Sequence, residues 1–139
     1  MYEPIRMKSV HSTMAGTAPD LPRRSREEEL DIQLAGHLAA LLTVTDELRA
    51  LTPCVDLDTA SERLAGQVTR LRGGQTPARA TLSPDGDPTT LHRRAHTLAG
   101  RALVVAASRA DTTAAILAAE RMDAHAAALS EPQHPSTAH

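Results

Sequence analysis

The sequence predicts an all-α protein: a three- or four-helix antiparallel bundle with disordered N- and C-terminal tails. Three observations lead there. The 139 residues hold no Trp, no Phe and a single aromatic, Tyr2, so a core must be built from Leu, Ala, Val and a little Ile and Met. Apolar residues recur at spacings of three and four, the period of a helix with one buried face. Capping residues, prolines and a glycine pair then punctuate those runs.

Residues 1–24 carry Pro4, Pro19 and Pro22, small polar residues and no apolar period, and are expected to be a disordered arm. A helix is expected over 25–52. Ser25 with Glu28 forms a capping box, and Glu27 to Glu29 suit the positive end of a helix. Leu30, Leu34, Leu38, Leu41, Thr45 and Leu48 form one stripe, widened by Leu42, Val44 and Leu51, and Pro53 ends it. Such a helix is about 40 Å long.

A second helix is expected over 58–72, opened by a Thr59–Glu62 capping box. Its inner face is Leu57, Ala60 or Ser61, Leu64, Val68 and Leu71, and Gly73 and Gly74 stop it. Residues 73–87 hold Pro77, Pro84 and an Asp85–Gly86 turn signal, which makes them a long non-helical connection, either a disordered crossover or a functional loop.

Asp87–Pro88 reads as a cap followed by proline at the first helical position. A third helix over 88–108 has Leu91, Ala95, Leu98, Ala102, Val105 and Ala106 inward. Asp111 with Thr112 and Thr113 looks like a fresh start, so a hairpin near Arg109–Ala110 is preferred over one helix running from Pro88 to Leu129. In the fourth helix, 111–129, Ala115, Ala119, Met122, Ala126 and Leu129 share a face. The bundle domain thus spans 25–129, and 130–139, with Pro132 and Pro135, is an expected disordered tail.

The totals narrow the function classes. A net charge of −2 draws the protein toward neither nucleic acid nor anionic lipid. Lys8 is the only lysine beside fourteen arginines. Their scatter reads as codon bias of a GC-rich genome rather than selection for guanidinium forks. Cys54 is alone, so no intrachain disulfide forms. The longest strongly apolar run, Ala102 to Ala107, is far short of a membrane span, and residues 1–24 hold no continuous apolar segment, so no secretory signal is expected. No membrane partner and a cytoplasmic location are therefore expected.

Few constellations carry chemistry. His92 and His96 stand one turn apart on a predicted helix, a spacing that could share a metal, with His37 or His125 and Glu120 or Asp123 completing a site. The plainer reading is a partial site at the polar edge of a helix, beside Arg93 and Arg94. His37 lies at the edge of the leucine stripe and, with Thr45, reads as a locally satisfied polar spot or as part of an interhelical pocket. Cys54 has no base beside it in sequence, and no glycine-rich phosphate loop or nucleophile elbow occurs. No catalytic residue, cofactor or bound metal is assigned.

The segment Leu34–Ala35–Gly36–His37–Leu38, followed by Leu41–Leu42 and Asp46–Glu47–Leu48, is similar to the opening helix of a small helical family of high-GC bacteria. That family is a domain of unknown function labelled natural product biosynthesis protein. The resemblance covers the first two helices. It implies an accessory role in secondary metabolism, and it carries over no catalytic residue.

The leading expectation is a non-enzymatic interaction, accessory or regulatory protein. Self-association or a protein partner would use Leu34, Leu38, Leu41, Leu48, Met122 and Leu129 as the interface. A second is a small enzyme or a ligand- or metal-binding bundle using His37, His92 and His96. A third, a nucleic-acid-associated regulator, requires the arginines of the last two helices to gather on one face and lacks the aromatics for base stacking.

Overall fold

The computed structural model describes residues 20–79 and 85–131, with side chains from Ser25 onward. Four α-helices follow one another: α1 (Asp20–Leu51), α2 (Val55–Leu71), α3 (Pro88–Arg109) and α4 (Thr112–Ser130). No strand occurs among the described residues.

α1 begins five residues before the expected Ser25 cap. Pro22 falls in its first turn, where a missing N–H removes no helical bond, so the Ser25–Glu28 box lies inside the helix. The rest of the expected arm, 1–19, and the tail from 132 on lie outside the described residues. α1 ends at Leu51, just ahead of Pro53.

α2 also starts early, at Val55 with Cys54 in the cap position, rather than at the Thr59–Glu62 box. Nothing between Cys54 and Asp58 breaks a helix, and Asp56 and Asp58 complement the positive helix end. The extra turn also points Leu57 inward with Ala60, Leu64 and Val68. Gly73 (φ 71°) and Gly74 (φ 100°) take the left-handed backbone that closes α2, and the Gly74 N–H donates to the Thr69 carbonyl at 2.8 Å.

Asp87 caps α3, accepting from the Thr90 N–H at 2.9 Å, with Pro88 behind it. α3 stops where Ala110 turns left-handed (φ 58°), and Asp111 caps α4 by accepting from the Ala114 N–H at 3.2 Å. The third and fourth helices are therefore a hairpin.

Ion pairs at the helix ends fix the directions. Arg49 near the end of α1 meets Asp58 at the start of α2. Asp31 in the first half of α1 meets Arg109 at the end of α3. Arg70 at the end of α2 meets Asp111 at the start of α4. Taking α1 as up, the order is up, down, down, up, and the four neighbouring pairs α1–α2, α1–α3, α3–α4 and α2–α4 are all antiparallel. The segment joining α2 to α3 must therefore return along the bundle. Arg79 on that segment forks onto Asp46 of α1 at 2.8 and 3.0 Å and reaches the Ser61 hydroxyl of α2.

The core is leucine from α1 set into alanine from α3. Leu34, Leu38, Leu41, Leu42, Val44 and Leu48 are buried, as are Ala95, Ala99, Ala102 and Ala106. Small side chains on α3 let α1 and α4 approach it closely on two sides, whereas α2 and α4 meet over only a short stretch. That seam is bridged by long side chains: Asp56–Arg121, Arg63–Glu120 and Arg70–Asp111.

Two expectations need correction. Leu34, Leu38, Leu41 and Leu48 leave no surface for a partner, because the chain's own core covers them; Met122 and Leu129 are half-buried. In α4 the buried stripe is Ala114, Leu117, Ala118, Arg121 and His125, not Ala115, Ala119, Met122, Ala126 and Leu129. Alanine surrounds this helix, so apolar spacing alone marks no single face.

Candidate functional site

The α4 stripe turns polar toward its C-terminal end. Arg121 and His125 are one turn apart, so they project from the same side. They meet the last turn of α1, the first turn of α2 and the first turns of α3 around a cavity of about 250 Å³. Leu48, Leu57, Pro88, Ala124 and Ala128 supply apolar wall, and Cys54, Asp56 and His92 stand among them.

Arg121 is only 4% exposed. Its Nη1 donates to both oxygens of Asp56, at 3.1 and 3.3 Å. The Asp56 carboxylate itself is largely in solvent. Nε and Nη2 of Arg121, the two nitrogens that form the side-on fork, are buried and have no hydrogen-bond partner among the described residues. A buried donor left unpaired costs about 1–3 kcal/mol, so this end of α4 carries a standing polar deficit.

His125 is 1% exposed. Its Nδ1 lies 2.9 Å from Nδ1 of His92, with ring centroids 5.1 Å apart and the planes tilted by 49°. One of the two nitrogens must carry the shared proton and the other must accept it. Burial, then the Arg121 guanidinium, then His92 push His125 down to about 3. His92 is lowered as well, by burial first and by Arg121 next. Both imidazoles are therefore neutral at pH 7. Nε2 of His125 is likewise buried and without a hydrogen-bond partner among the described residues.

Of the residues singled out in the sequence, His92 belongs to this site. His96, one turn further along α3, is half-buried and adds to the positive field at His125. His37 stands apart: it precedes Leu48 by eleven residues, about 16 Å along α1, and does not converge with the other two. Among the described residues, no group of three or more His, Cys, Asp or Glu is placed to hold a metal. The sequence alone does not mark Arg121 as a site residue, and it offers His125 only as an optional metal ligand. Their signal was the 114-118-121-125 spacing, which competes on equal terms with the face chosen.

Two other hollows make a useful contrast. At the opposite end of the bundle one of about 350 Å³ is lined by Asp31, Arg70, Arg109 and Asp111, but Arg70 pairs with Asp111 and Arg109 with Asp31, so its charges already satisfy one another. On the outer side of the α3–α4 hairpin, about 270 Å³ is walled chiefly by alanines and Ile116. The arginines of α3 and α4 do not share a face: Arg121 is buried, Arg109 is paired, and Arg93, Arg94 and Arg101 are exposed. No helix among the described residues is long and apolar enough to cross a membrane.

Comparison with protein-family models, with curated proteins and with solved structures gives no match. The fold defines the class, an antiparallel four-helix bundle, and the site must be read from its own chemistry.

Proposed function

We propose that this protein is a non-enzymatic accessory bundle that binds a small organic molecule in the cavity beside Arg121 and His125. The observation that carries the reading is the unpartnered fork of Arg121, on a side chain 4% exposed, at a cavity with apolar walls. Ligand sites combine apolar lining with a few placed polar groups in this way. Binding is favoured over catalysis because burial and the Arg121 guanidinium lower both imidazoles at the site, His125 to about 3, which weakens them as bases. An accessory place in natural-product biosynthesis, implied by the likeness of the first helix, gives such a binder a setting.

The test is an NMR screen of the full chain against organic fragments of about six to twelve heavy atoms, sized from benzene filling a cavity of about 150 Å³. Fragments that bind here shift Ala124, Ala128 and His92 together. Shifts scattered over the surface, or none, sink the reading.

Protein association is a second reading. Val104 (66% exposed) and Ile116 (51% exposed) leave apolar surface on the outer side of α3 and α4. Light scattering over a concentration series decides it: a constant monomer mass removes self-association.

A further inference from the structure

We infer that the ligand is a small monocarboxylate, with its carboxylate on the Nε/Nη2 fork of Arg121 and its apolar body against Leu48, Leu57 and Ala124. The inference rests on the ligand-binding reading above and adds the chemical class.

Shape comes first. A guanidinium offers its Nε and Nη2 hydrogens as two parallel donors, the spacing that a carboxylate accepts bidentately. Asp56 does not use this fork; it takes Nη1 alone, with both its oxygens on one nitrogen. Arg79 shows the fork in use in the same protein, with Nε and Nη2 on the two oxygens of Asp46 at 2.8 and 3.0 Å. Arg121 holds the same edge buried, with no hydrogen-bond partner among the described residues. His125 Nε2, one turn along α4 and equally unpartnered, is the neighbouring donor when its Nδ1 accepts from His92.

Charge comes second, and it selects one negative charge over two. Arg121 is the single cation on the cavity wall. The two imidazoles are held neutral by burial. The Asp56 carboxylate already stands on the other side of the guanidinium. A phosphate dianion would bring a second charge with no partner, which a buried site does not tolerate. A carboxylate brings one charge and two acceptors for two idle donors.

Size and access complete the picture. A cavity of about 250 Å³ suits about ten heavy atoms, by comparison with benzene in about 150 Å³. Arg121 lines the cavity, and its Nε and Nη2 are closed to solvent. The adjoining α2–α4 seam is held by side-chain ion pairs over a short contact. Binding in this mode requires that seam to part so that the carboxylate can reach the fork.

The experiment titrates the full chain with 3-phenylpropanoate, its neutral amide and phenyl phosphate, following the Ala124 and Ala128 NMR signals. Alkylation of Cys54 by iodoacetamide gives a second readout, since this is the chain's single cysteine and an exposed residue on the cavity wall. The expected result is that the acid binds about tenfold or more tightly than the amide and slows alkylation. Arg121→Lys, which keeps the charge and loses the fork, should erase that preference. If this variant does not fold, the acid–amide contrast in the unaltered protein decides alone. Equal binding of acid and amide at these signals overturns the carboxylate inference and leaves the ligand pocket standing. Tighter binding of phenyl phosphate overturns it in favour of a dianion site. No binding by any of the three overturns the inference and the pocket together.

Discussion

His92 and His125 face each other Nδ1 to Nδ1 at 2.9 Å across the α3–α4 contact. A pair in this geometry holds together with one proton between the two nitrogens, or with an extra one carried on an Nε2. Two protonated Nδ1 atoms would repel at that distance. The pair therefore ties the start of α3 to the end of α4 while His125 stays neutral, with the Arg121 guanidinium beside it opposing any added charge.

That relationship sets a pH dependence. His125 titrates near 6.5 when unfolded and at about 3 when folded, so between these values the unfolded chain binds the extra proton. Stability is then full above about pH 6.5 and falls as pH drops toward 3. From pH 6.5 to 4.5 the loss is about 2 kcal/mol, above the range where Asp46 and Asp111, both held below 3.8, begin to titrate. Urea unfolding at several pH values checks it, and His125→Leu should flatten most of the slope. Parallel curves for the variant and the unaltered protein would show that the buried imidazole is not the group responsible.

The α3–α4 turn offers a second test. Ala110 holds φ 58° and ψ 37° at the end of α3, a left-handed conformation that costs an L-residue about 1–2 kcal/mol. Glycine occupies it without a Cβ penalty. Ala110→Gly should stabilise the protein by about 1 kcal/mol, net of the greater freedom of glycine in the unfolded chain, raising Tm by about 4 °C or less on scanning calorimetry. A lowered Tm would mean that the turn does not carry this strain.

Much of the fold was legible because its signals are local. The leucines of α1, the Asp87–Pro88 start, the Gly73–Gly74 stop and the Ala110–Asp111 break each announce themselves within a few residues. The site was hardly legible, for two physical reasons. Apolar spacing places Arg and His on the outside by default, yet Arg121 and His125 are buried by the partners they find on α2 and α3. Those partners, Asp56 and His92, lie 65 and 33 residues away in the chain. His92 was noticed for its neighbour His96 at helical spacing, whereas the contact that matters crosses to another helix.

Asp46 anchors the returning segment, and its removal should loosen it. Burial alone would raise this carboxyl, but hydrogen bonds from Arg79 and Arg49, and that of the Ser61 hydroxyl, hold it below its ordinary range. Asp46→Asn keeps the size and removes the charge that gathers both arginines. Because Arg79 and Arg49 are partly in solvent, the expected loss is modest, about 1 kcal/mol. The sharper readout is proteolysis: trypsin should cut after Arg79 several times faster in the variant. An unchanged cutting rate would mean that residues other than Asp46 fix the segment.

Arg121→Met separates a binding residue from a structural strut. A buried guanidinium with two unpartnered nitrogens is a poor contributor to stability. Replacing a buried ion pair with apolar side chains of similar volume is often neutral or stabilising by about 1–4 kcal/mol, and removing one partner is costly where the other stays buried. The partner left behind, Asp56, has a side chain 65% exposed, so its carboxylate hydrates once released. Methionine fills the buried space of the arginine stem with a flexible apolar chain. The variant should therefore melt at or above the temperature of the unaltered protein, while losing its preference for 3-phenylpropanoate over the amide. Calorimetry and the NMR titration on the same sample check both halves. A fall in stability of about 3 kcal/mol or more, the range expected when one partner of a buried pair is removed, would mark Arg121 as part of the scaffold. Its fork would then be a cost of folding rather than the mark of a ligand.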